Sequence, residues 1–144
     1  MALDVIVPQA VSVANQEIIP TAAYTSSDTA GPWPADFFSS GAITTNVSLI
    51  TGGGTLNLYW QCSHDGTTFF DVASWPQYTA AAYTTTGSVR VSYVNSGNII
   101  TVTTDGAQTA NTILNAHWGS YHRLKYVIAG GGTCTFGAVG DFRA

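Results

Sequence analysis

The chain has 144 residues, enough for one domain that buries well over half of its unfolded surface, so an apolar core is expected without a disulfide or metal staple. Hydrophobic residues make up 45% and charged residues only 8%, about a third of the usual share, and Thr, Ser, Asn and Gly carry the polarity. The net charge of −4, with Arg90, Arg123, Lys125 and Arg143 on the basic side, offers no patch to neutralise a run of phosphates, which argues against nucleic acid and anionic membrane as partners.

A surface this poor in charge has weak protection against association, so part of it is expected to be covered by partners. At the start, Met1-Ala2-Leu3-Asp4 places an acid where a secretory signal needs a base, and Pro8 and Gln9 interrupt the apolar stretch. No run reaches the ~18 apolar residues of a membrane helix, and a soluble chain is expected. Residues 1–41 carry Pro8, Pro20, Pro32 and Pro34, a pattern that suits an extended arm better than a central strand. The arm is nevertheless apolar: Val5, Val7, Val11, Val13, Ile18 and Ile19 are costly to display in water, so an interface is expected to cover them.

Residues 42–144 read as a β-sandwich domain. In 42–50, Ile43, Val47 and Leu49 share one face, and Gly52-Gly53-Gly54 then turns the chain. The clearest alternation comes next, with Leu56, Leu58, Trp60 and Cys62 opposite Asn57, Tyr59 and Gln61. Ser63-His64-Asp65-Gly66 supplies hairpin-turn chemistry, and 68–72 returns as its paired strand. Further strands are predicted over 88–94 and 98–103, joined by Asn95-Ser96-Gly97, and over 121–129 and 133–138, joined by Gly130-Gly131-Gly132. Leu124, Tyr126 and Ile128 are expected to share the core with Cys134, Phe136 and Ala138. No window sustains helical periodicity. About seven short strands predict an all-β, antiparallel jelly-roll or Greek-key sandwich with an extended N-terminal arm.

Chemistry is sparse. Ser63, His64 and Asp65 have the residue types of a catalytic triad, but neighbours along a strand point apart, and a hydrogen-bonded turn is expected instead. Asp65, Asp71, Asp105 and Asp141 sit where turn-forming Asp is common rather than as a glycosidase pair. His117 and His122 lack a third ligand, so no metal or cofactor is expected, and Cys62 and Cys134 are expected as buried thiols. Aromatic residues in Pro- or Gly-rich connections, Trp33, Trp75 and Trp118 among them, are candidate interface anchors or sugar-stacking platforms.

The alternating strand ending at Trp60-Gln61-Cys62, the Ser63-His64-Asp65-Gly66 turn and the Phe69-Phe70-Asp71 return resemble a pattern of small β-sandwich proteins in tailed-phage virions. Tyr121-His122-Arg123-Leu124-Lys125-Tyr126, followed by a Gly turn and Thr133-Cys134-Thr135-Phe136, is similar to the closing hairpin of that group. Resemblance to trimeric capsid decoration, or cement, proteins implies a non-enzymatic virion component made in the bacterial cytoplasm. It further implies a homotrimer on the capsid exterior, with arms that cross to neighbours and grip the major capsid protein. The competing reading is a carbohydrate-binding or host-receptor-binding sandwich of a phage tail or fibre.

Overall fold

Side-chain alternation repeated along the chain has one economical solution: strands that bury one face and pair through their edges. The computed structural model describes residues 12–80, 87–92, 103–113 and 119–144. Among these every regular element is a strand and none is a helix. In chain order they are β1 (Ser12–Tyr24), β2 (Asp28–Pro34), β3 (Ser40–Ile50), β4 (Thr55–Ser63), β5 (Phe70–Ser74), β6 (Tyr78–Thr79), β7 (Gly87–Ser92), β8 (Thr103–Thr104), β9 (Thr112–Ile113), β10 (Tyr121–Ala129) and β11 (Cys134–Arg143). One sheet has the order β1-β11-β3-β7, the other β2-β10-β4-β5-β8, with β6 beside β4 and β9 beside β5. All the pairings are antiparallel.

The inner faces of the two sheets share one core. β4 presents Leu56, Leu58, Trp60 and Cys62, all of them buried as the alternation predicts, and β10 adds Leu124 and Tyr126. Facing them are Ile43 and Val47 of β3 and Cys134, Phe136 and Ala138 of β11. Tyr126 meets Phe136 edge-on at 5.2 Å between centroids, and Tyr24 lies 5.0 Å from the same ring, so aromatic contacts bridge the layers. Burying each large side chain of this set contributes about 1.5–3 kcal/mol.

Three sequence expectations change. Leu49 is 45% exposed and Ile50 is buried instead, because Val47 pairs with Phe136 while Leu49 pairs with Thr135, leaving Ser48 as an extra residue that reverses the facing of the positions after it. β10 and β11 do not form a hairpin: they lie in opposite sheets, so the glycine turn between them carries the chain from one layer to the other. From Ser12 onward the expected arm is sheet, with β1 paired along β11 and β2 along β10.

The prolines explain that last difference. β1 and β2 are edge strands, where a missing N–H can face away from the ladder. Pro20 falls in the irregular stretch of β1 between Ile19 and Ala22, and Pro32 opposite the irregularity between His122 and Leu124. The pattern that argued against a central strand was marking sheet edges. The predicted 98–103 strand, apart from Thr103, and the 95–97 turn lie outside the described residues.

Candidate functional site

Among the described residues two edge strands, one from each sheet, border an open flank. Between them runs a groove of about 380 Å³ lined by Val13, Gln16, Glu17 and Ile18 of β1, Gly31 and Trp33 of β2, Phe38 of the following turn, and Phe142 of β11. Its aromatic wall is continuous: Trp33 lies 5.9 Å and Phe38 5.6 Å from Phe142, and Phe142 stands edge-on to the core ring of Trp60 at 6.3 Å. Gly31, at φ +105°, is a requirement of this wall, since a Cβ there would lie 2.9 Å from the Trp33 ring and 3.1 Å from the His122 carbonyl. Among the described residues Glu17 is the one charged residue of the lining, and Phe37, next to Phe38, is 71% exposed.

Of the residues the sequence nominated for an interface, the structure brings Val13, Ile18 and Trp33 together in this groove. Ile19 faces the other way and is 3% exposed, a core residue, because irregular pairing separates it from Glu17. Trp75 is also core, at 1% exposure, and is no surface anchor: its backbone N–H donates to the Leu58 carbonyl, which holds the residue against β4. Val5, Val7, Val11 and Trp118 lie outside the described residues. Sequence reasoning missed Phe142. Following the inward set of Phe136 and Ala138 for four more residues leads to it.

A second feature is polar and lies on the outer side of β4, β5 and β10. Asp71, 1% exposed, accepts from Gly106 N and Gln61 Nε2 at one oxygen and from Ala107 N and Gln108 N at the other. Gln61 Nε2 also donates to Asp105 Oδ1, and Gln61 Oε1 accepts from Arg123 Nε at 2.7 Å. Lys125 Nζ and Arg123 Nη2 reach Asp105 at 2.8 and 3.2 Å, and the Arg123 guanidinium sits 3.9 Å over the Phe69 ring. Partial burial pushes the Asp105 carboxyl up; the Lys125 and Gln61 hydrogen bonds and the two cations outweigh that and leave it below the usual carboxylate range. Two carboxylates meet two cations, and these bonds fasten residues 105–108 to the sheet. Adjacent strand positions such as Gln61 and Arg123 carried the signal, but Asp105 comes from a distant loop that no local pattern predicts.

Ser63, His64 and Asp65 form the expected turn: Ser63 Oγ donates to Asp65 Oδ1, and Thr67 N and Thr68 N donate to the same oxygen. These bonds, led by the Thr68 and Thr67 amides, hold the Asp65 carboxyl well below its usual range. His122 is buried and accepts from Trp60 Nε1 at its Nδ1, 2.8 Å away, while His117 lies outside the described residues. Among the described residues no three His, Cys, Asp or Glu side chains converge as a metal site. Cys62 and Cys134 are both buried thiols, and burial pushes the Cys62 thiol up to about 11.

The class defined by these observations is an all-β protein of two antiparallel sheets, with an apolar groove along the edge strands of one flank. No family model, curated protein or solved structure matches the chain.

Proposed function

We propose that the chain is a virion structural protein of tailed phage: a capsid decoration, or cement, protein that binds the major capsid protein as a homotrimer and stabilises the head from outside. It is made in the bacterial cytoplasm, has no catalytic role, and needs neither cofactor, nucleic acid nor membrane. The observation that carries this reading is the open flank, where Val13, Ile18, Trp33, Phe38 and Phe142 gather on a chain with only 8% charged residues. An apolar patch with so little charge around it favours a partner surface over water. Residues 1–11, outside the described residues, add Val5, Val7 and Val11 to the chain just ahead of that flank.

Strand order supports the finer fold reading. With the two-residue strands β6, β8 and β9 set aside, the orders β1-β11-β3-β7 and β2-β10-β4-β5 have the eight-strand connectivity of a jelly roll, an architecture used by viral coat domains and by lectins. Fold alone therefore leaves the sugar-binding alternative standing, and the aromatic residues weigh against it. A stacking platform needs exposed, coplanar rings, whereas Trp75 is core and Trp33 is half-buried against Phe142.

Co-sedimentation of the purified protein with expanded phage heads lacking decoration tests the reading. We expect saturable binding in multiples of three copies, and a free protein with a mass about three times the 15.1 kDa of one chain. A monomer that ignores capsids and is retained on immobilised glycans would replace this reading with the carbohydrate one.

A further inference from the structure

We propose that His122 is an acid-sensitive latch: its neutral ring holds the edge strand β2 and the Trp33–Phe142 wall of the groove in place, and uptake of a proton releases them. The inference does not rest on the virion reading.

The first observation is the bond that fixes the ring. Trp60 Nε1 lies 2.8 Å from His122 Nδ1, and both residues are 0% exposed. An indole N–H can only donate, so Nδ1 presents its lone pair and the neutral ring carries its hydrogen on Nε2. A protonated imidazole is a donor at both nitrogens. Its Nδ1–H would meet the Trp60 N–H head-on across a gap that holds one hydrogen, so the proton and the closed packing oppose each other.

The second is what packs round the ring. His122 and Trp60 are 5.7 Å apart between centroids, Trp60 and Phe142 6.3 Å, Phe142 and Trp33 5.9 Å, and Trp33 and His122 6.3 Å. These four rings, from β10, β4, β11 and β2, form a closed circuit, and Trp33 and Phe142 are also the aromatic wall of the groove. What β2 and β11 bring to the circuit is therefore uncharged. Among the described residues the titratable group that β4 sets opposite His122 is the Cys62 thiol, which burial pushes up to about 11 and so keeps neutral. Tyr121 and Arg123, the neighbours along β10, take the opposite facing, and Arg123 is engaged with Asp105 and Gln61 on the outer side of the sheet.

The third is which side can give way. β10 pairs with β4 in unbroken register from Tyr121 to Ala129, whereas its pairing with β2 shifts between His122 and Leu124, beside the latch itself. β2 is also the end strand of its sheet, so among the described residues that interrupted ladder is its one strand pairing. Edge elements with few ladder bonds open at lower free energy than central ones. With β2 lifted, Trp33 leaves the circuit and water reaches the imidazole.

A histidine in water takes its proton at about pH 6.5. Above that pH, opening gains nothing from protonation; below it, the open state gains on the closed one by up to about ten-fold per pH unit.

Hydrogen exchange between pH 7 and pH 5 tests this, read as protection factors so that the intrinsic effect of pH on exchange divides out. Protection of the Trp60 indole N–H and of the β2 amides is expected to fall about ten-fold, while that of the β4 backbone amides changes by less than about two-fold. His122→Asn sets an amide oxygen near the place of Nδ1, where it accepts from Trp60 and does not titrate, and its β2 protection is expected to stay level. Where that variant fails to fold, His64→Gln with His117→Gln leaves His122 as the sole histidine of the chain, and the fall is expected to persist. Level protection in the unaltered chain, loss of the fall in the double variant, a fall that survives His122→Asn, or an equal fall in β2 and β4 overturns the latch.

Discussion

Asp71 illustrates how much one side chain can hold. Its carboxylate accepts four hydrogen bonds, three from consecutive backbone amides, and takes the place of a strand ladder for residues 106–108. Replacing it leaves those donors without their acceptor beside a buried position, at about 1–3 kcal/mol for an orphaned buried group, the Gln108 amide being the most enclosed of the three backbone donors. Asp71→Ala is expected to lower the unfolding free energy by about 3 kcal/mol in urea denaturation. A loss below about 0.5 kcal/mol would mean that the pairs β5 makes with β8 and β9 suffice. Asp65 acts through charge in the same way but at the surface. Its carboxyl titrates lower in the folded chain than the unfolded value of about 3.9, so its contribution is complete above that value and disappears as pH falls through the folded one. Asp105 is lowered too, and has the same sign. The denaturation midpoint is expected to be level with respect to these groups from pH 7 to about 5 and to fall below pH 4. Asp65→Asn is expected to flatten part of that fall, and an identical acid limb in the variant would remove Asp65 from the account.

At the scale of elements, the two triple-glycine turns are one structure. The β3–β4 and β10–β11 connections lie against each other at the same end of the sheets, tied by the Thr51 N–H to the Thr133 carbonyl at 2.9 Å. Gly130, at φ +80°, lies so close that a Cβ would run into the Gly53 carbonyl, whereas Gly131, at φ +72°, faces open space. Both alanine substitutions meet the backbone penalty of the left-handed region, about 1–2 kcal/mol, but only the first adds a collision with rigid backbone. Thermal melts are expected to rank Gly130→Ala well below Gly131→Ala, with the second costing about 1 kcal/mol. Equal losses would show that the turns separate without cost. The edge strands follow the same logic of local chemistry in a particular place, since their prolines and irregular pairing discourage uncontrolled strand addition where the sheets end.

For the whole molecule, the decisive matter is where the N-terminal part stops being removable. Ile19 is in the core, and β1 pairs along β11 from Ser12 to Tyr24, so a chain lacking residues 1–20 loses most of an edge strand and a buried isoleucine together. Removing a core isoleucine alone costs about 2–5 kcal/mol, a large part of the stability of a domain this size. Residues 12–144 are expected to melt cooperatively, and residues 21–144 to show no cooperative transition by calorimetry. A truncation at 20 that melts like the full chain would restore the view of this segment as an arm attached to a self-sufficient sandwich. Residues 1–11 can then be tested for attachment without the fold being in question.

Strand identity was legible wherever alternation was clean. Leu56, Leu58, Trp60 and Cys62 are buried as read, β10 covers the predicted 121–129, and the Ser63 to Gly66 turn is closed by the groups its residues supply. Local chemistry suffices for these, because side-chain facing and turn type depend on neighbours in the chain. The features that the sequence could not supply were decided by contacts between distant residues. The extra residue at Ser48 shows only against β11, and Asp105 meets Gln61 only after a loop has folded back over β5. Proline was read correctly as hostile to a central strand, yet whether 12–34 stood apart or lay at the edges depended on β10 and β11, more than eighty residues away, offering an open side. The groove has the same origin: Val13, Trp33 and Phe142 come from three strands, and closing two sheets around a common core is what places them side by side.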